Sequence, residues 1–127
     1  MGIKALGYLV ITTARPQAWD SFLTDVVGVM KGEAGPEGVA LYRVDDRPFR
    51  FWIQQGTEDR LTAAAYELGD AAAFADLRAR IEAAGRPVQD GTAEEAAARG
   101  VDAFFRTSDP DGNGLEFFHG DSRDDVP

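Results

Sequence analysis

Cysteine is absent from the 127 residues, and histidine occurs once, at His119. Without a thiol, disulfides, thiolate metal centres and cysteine nucleophiles are all excluded. With one imidazole, histidine-dependent triads have almost no material. Positive charge is also scarce: 13 Lys and Arg face 22 Asp and Glu, for a net charge of −9. That balance opposes binding to phosphate backbones, which needs a basic surface to displace counterions. It opposes anionic membranes for the same reason. No apolar run approaches the roughly 20 residues of a membrane span. The start, Met1 to Lys4, leads at once into a strand-like run without a signal-peptide apolar region. The expected setting is soluble and cytoplasmic, with neither nucleic acid nor membrane as partner. A chain of this size forms one domain and buries about two-thirds of its unfolded surface.

What is present is a repeated alternation of strand and helix patterns. Leu6 to Thr13 is β-branched and aromatic, and reads as a strand. Pro16 suits a first helical turn, and Trp19, Phe22, Leu23 and Val26 follow as one apolar stripe. Gly28 is placed to stop that helix in the left-handed conformation. After a Gly/Pro/Glu loop come strands Val39 to Val44 and Phe49 to Gln55, with one more short strand expected near Val29 to Lys31. The plan then recurs. Leu61 to Leu68 reads as a strand, and Asp70 caps a helix from Ala71 to Ala84 whose stripe is Phe74, Leu77 and Ile81, ended by Gly85. Pro87 to Gln89 is a short strand. Thr92 and Glu95 form a capping box for a short helix ending by Gly100. Val101 to Thr107 and Gly114 to His119 close the plan around the turn Asp109 to Asn113. The fold class is α+β: two tandem βαβββ modules, about 3–56 and 61–119, in one domain 1–120 with curved mixed sheets forming a cleft. Residues 121–127 are a polar tail.

Several runs resemble a known family. Gly7 to Leu9, Ala18-Trp19, Asp25 to Gly28, the hairpin Arg43 to Pro48 and Asp59 to Leu61 are similar to the opening domain of the type I extradiol ring-cleaving dioxygenases. Asp109 to Gly120 (DPDGNGLEFFHG) resembles a motif of the whole vicinal oxygen chelate superfamily, with its glyoxalases and bleomycin-resistance proteins. The resemblance spans about residues 3 to 120. It implies the two-module fold, and a relation to the first of two domains in enzymes such as 2,3-dihydroxybiphenyl 1,2-dioxygenase. In that family the first domain carries no iron; two histidines and a glutamate hold it in the second.

The resemblance also maps the superfamily's metal ligands onto this chain. Tyr8 stands at the first histidine position, Ala63 (or Thr62) at the second, and Glu116 at the final glutamate; strand four offers Gln54. An iron site wants two imidazoles and a carboxylate. Alanine supplies no donor and a neutral tyrosine is a poor one, so neither metal nor cofactor is expected. Asp109 to Gly114 imitates the first half of a calcium loop, but Gly120 stands where the closing glutamate belongs, and Asx-turn chemistry accounts for the run. Alternation along the last strand sends Glu116 and Phe118 to one face, and Leu115, Phe117 and His119 to the other. His119 therefore reads as a strand-end histidine bonded to nearby backbone.

The strand aromatics Phe49, Phe51, Trp52, Phe104, Phe105, Phe117 and Phe118 divide between two faces, most of them core. The expected ligand-binding cleft comprises Tyr8, Arg50, Trp52, Gln54, Ala63, Glu116 and Phe118, suited to a flat, partly polar aromatic molecule. Arg50 alternatively pairs with an aspartate of the Asp45/Asp46 turn, and Glu116 with Tyr8. Three functions follow. The first is a metal-free binding protein for a small aromatic or drug-like molecule, working as a homodimer, with no catalytic residue. The chain's own Met1 and polar tail fit that reading. The second is the non-catalytic N-terminal domain of an Fe(II)-dependent catechol dioxygenase. The third is a metal-free isomerase or lyase with Glu116 as base and Tyr8 as acid.

Overall fold

A computed structural model describes residues 3–32, 35–45, 47 and 49–120. The expected tail lies outside the described residues. The chain divides into two compact units, one of residues 8–62 and one of residues 3–7 with 63–120.

In the unit of residues 8–62, strand β1 (Ile3–Thr13) continues past Tyr8 into helix α1 (Pro16–Ser21). Strands β2 (Met30–Lys31), β3 (Val39–Arg43) and β4 (Phe51–Gln55) follow. Their order is β2-β3-β4-β1: β1 runs parallel to β4, pairing Val10 with Trp52 and Thr12 with Gln54, while the other pairs are antiparallel. The parallel pair requires a crossover, which α1 and its continuation supply. Leu23, Tyr42 and Ile53 form the core on the helix side, with Ile11, Trp19, Val29, Ala40 and Phe51 packed against them. The phenol of Tyr42 donates to Asp20 at 2.7 Å, and burial pushes its pKa up.

The helical stripe departs from expectation. Six residues, Phe22–Val27, are π-helical, with the Gly28 amide reaching back to the Leu23 carbonyl at 2.9 Å. Leu23 is in the core, whereas Phe22 is 49% and Val26, which follows Leu23 through the wider turn, 74% exposed. A stripe drawn with α-helical spacing cannot anticipate that phase shift. Gly28 does stop the segment, with φ +89°.

In the other unit, strands β5 (Arg60–Leu68), β6 (Gln89–Asp90), β7 (Ala103–Ser108) and β8 (Gly114–His119) take the order β5-β8-β7-β6, with β5 and β8 parallel. Helix α2 (Ala71–Ala83) is capped by Asp70, whose carboxylate accepts from the Ala73 amide at 2.8 Å. Phe74, Leu77 and Ile81 pack against Leu68, Phe105 and Phe117, as the stripe predicts. Helix α3 (Ala93–Arg99) opens on the full Thr92/Glu95 capping box and ends at left-handed Gly100. The short strand expected at Pro87 to Gln89 forms two residues later, because proline has no N–H for a ladder. Gly7 belongs to this unit: a Cβ there would overlap the Phe118 ring.

Candidate functional site

The strands position the expected site residues on the faces turned from α1 and α2. In residues 8–62, the β1–β4 pairing aligns Val10 with Trp52 and Thr12 with Gln54. Tyr8, Phe49 and Trp52 form an aromatic run, with centroids 4.8 Å and 5.7 Å apart, and all three are buried. A polar row continues it. The Trp52 indole N–H donates to Gln54 Oε1 at 2.9 Å, Gln54 Nε2 donates to Thr12 Oγ1 at 3.0 Å, and Thr12 meets the Thr62 hydroxyl. Because indole nitrogen only donates, it fixes which way the Gln54 amide faces. Arg50 turns instead to Asp45, its Nε lying 3.1 Å from Oδ2. That is the alternative pairing read for it, and the arginine holds the Asp45 carboxyl below its ordinary range.

In the other unit, Ala63 and Phe118 are buried, and Glu116 pairs across β7 and β8 with Arg106. Glu116 is engaged by a residue that sequence reasoning passed over. From the last turn of α3, Arg99 donates Nε to Oε1 at 2.8 Å and Nη2 to Oε2 at 3.0 Å. The two side chains are only 8% and 5% exposed. The Arg99 and Arg106 guanidiniums both lie over the Phe104 ring, at 4.3 Å and 4.9 Å. Arg106 reaches Glu95 at 2.6 Å, and Glu95 still closes the capping box by accepting from the Thr92 amide at 2.9 Å. The Arg106 guanidinium, then the Thr92 amide, pull the Glu95 carboxyl down to about 2. No sequence signal marks Arg99 for burial beyond its i+4 spacing from Glu95.

Taken one by one, these positions do not suit a ferrous ion. Tyr8 packs at a tilt against Phe49, Ala63 has no donor atom, and both Glu116 oxygens accept from a guanidinium. Among the described residues no three His, Asp or Glu side chains are grouped to hold a metal. The same clamp leaves Glu116 poorly placed as a general base. The Asp109 carboxylate accepts from the Asp111 amide at 3.0 Å and the Asn113 amide at 2.8 Å, the Asx chemistry expected of that turn. His119 lies on the α2 side, its ring 4.8 Å from Phe74.

The family model for "Dihydroxybiphenyl dioxygenase BphC D1" matches residues 6–56. Biphenyl-2,3-diol 1,2-dioxygenase of Paraburkholderia xenovorans (strain LB400) is 38% identical over 96% of this chain and 41% of its own length. An iron-dependent extradiol dioxygenase of Rhodococcus jostii (strain RHA1) is 36% identical over 94% of this chain and 40% of its own. The solved structure of BphC, a halotolerant catechol dioxygenase, superposes with a TM-score of 0.92 at 26% identity, over 98% of this chain and 42% of that one. The chain thus spans about two-fifths of the length of these relatives. In sequence and fold it is similar to the N-terminal domains of the extradiol dioxygenases, which belong to the vicinal oxygen chelate superfamily.

Proposed function

We propose that this chain acts as the metal-free structural domain of an extradiol-type system, supporting a metal-bearing partner domain and carrying no oxygen chemistry itself. The observation behind this reading is the buried Arg99–Glu116 pair. Glu116, the one carboxylate that the resemblance sets at a superfamily ligand position, serves as the counterion of an arginine. Iron, zinc and manganese added to the purified protein should therefore be removed by desalting. One equivalent retained per chain in elemental analysis would overturn the assignment.

A second reading is favoured by the polar row at Trp52, Gln54, Thr12 and Thr62, whose members beyond Trp52 are only partly buried. An aromatic ligand with an oxygen acceptor would meet donors there, and a homodimer would cover the exposed apolar side chains. This reading also keeps the protein soluble and cytoplasmic; no helix among the described residues is long and apolar enough to cross a membrane.

A further inference from the structure

The π-helical segment is a local departure from what its sequence would form, and such segments gather at functional places. At its start Leu23 is in the core while Phe22 faces outward beside Trp19, the two rings meeting edge to face at 6.1 Å. With Arg15 and Ala18 they line a groove of about 270 Å³. That is at the small end of ligand pockets, about 300 Å³ and upward, and suits a molecule of one or two rings.

The groove has one charged wall. The Arg15 side chain is 75% exposed and touches Asp59 through one nitrogen, at 3.5 Å. Asp59 does not depend on it, because its carboxylate already accepts from the Thr13 hydroxyl at 2.7 Å and the Ala14 amide at 3.1 Å. Because only Nη2 is engaged, the guanidinium retains Nε and Nη1 as donors for a second carboxylate. We propose that this groove binds a planar aromatic carboxylate, its ring against Trp19 and Phe22 and its carboxylate on Arg15. The groove lies on the helix, not on the strand face that bears Trp52 and Gln54, and shares no residue with the metal test.

The test is a titration of the ¹⁵N-labelled full chain with 2-naphthoate, and with 2-naphthalenemethanol as the uncharged control. Naphthoate should shift the Trp19 indole resonance (identified with Trp19→Phe) and the amides of residues 18–22 saturably. Arg15→Gln should weaken naphthoate about tenfold, the loss of one charge-assisted contact, and leave the alcohol unchanged. Phe22→Ala should weaken both. Thermal melts establish that each variant is folded, and the exposure of both side chains favours that. The proposal is overturned if naphthoate produces no saturable shift at Trp19, if Arg15→Gln binds it as tightly as the unaltered chain, or if the shifts centre on Trp52.

Discussion

Arg99 and Glu116 offer the sharpest test of how the second unit is held together. Replacing Arg99 by Met keeps the aliphatic stem but removes the guanidinium that lies over Phe104 and donates twice to the buried Glu116. Removing one partner of a buried pair costs about 3–5 kcal/mol, because the remaining charge has lost both water and counterion. For 127 residues, an unfolding entropy of about 2.1 cal/mol/K per residue turns 4 kcal/mol into a fall of about 15 °C in Tm. Arg99→Met/Glu116→Leu removes both charges, and such replacements lie between neutral and 1–4 kcal/mol stabilising. The double variant should therefore melt well above Arg99→Met, with a coupling energy of about 3 kcal/mol in a denaturant-based double-mutant cycle. Calorimetry and urea titration of the unaltered chain, Arg99→Met, Glu116→Leu and the double variant measure this directly. Loss of less than about 1 kcal/mol in Arg99→Met, the level of an exposed ion pair, would refute the argument.

Two further outcomes follow from single groups. The Thr107 hydroxyl is a buried side-chain polar atom without a hydrogen-bond partner among the described residues. Thr107→Val keeps the shape and removes that atom, so urea unfolding should show a gain of about 1 kcal/mol; a loss would mean the hydroxyl is satisfied. Glu95 has a folded pKa of about 2 against an ordinary 4.5. Its contribution is thus fully present above pH 4.5 and lost as pH falls towards 2. The side chain is 38% exposed, so solvent screening limits the effect to about 1 kcal/mol. The stability difference between the unaltered chain and Glu95→Gln should shrink from pH 6 to pH 2.5, and a difference constant across that range would contradict the ion pair.

Most of the architecture was legible because it rests on local rules. Asp70, Gly28, Gly85 and the Thr92/Glu95 box mark helix ends through hydrogen bonds and dihedrals formed within a few residues of each. The two-residue period put Glu116 and His119 on opposite faces of β8, and the packing of His119 on Phe74 agrees. The first helix was misread for a physical reason. Trp19, Phe22, Leu23 and Val26 carry α-helical spacing, but tertiary packing of Leu23 against Tyr42 and Ile53 accompanies a wider turn that spacing cannot express. Arg99 was invisible for a related reason. An arginine in an alanine-rich last turn reads as a solvated charge, until β8 sets a carboxylate opposite it. By itself, the chain determined its helix ends, its strand alternation, its single imidazole and its lack of thiols, and hence the donors it could never offer a metal. Only the tertiary structure decided which charges are buried together and which aromatic rings face water. Those outcomes depend on residues far apart in the chain, and no local period encodes them.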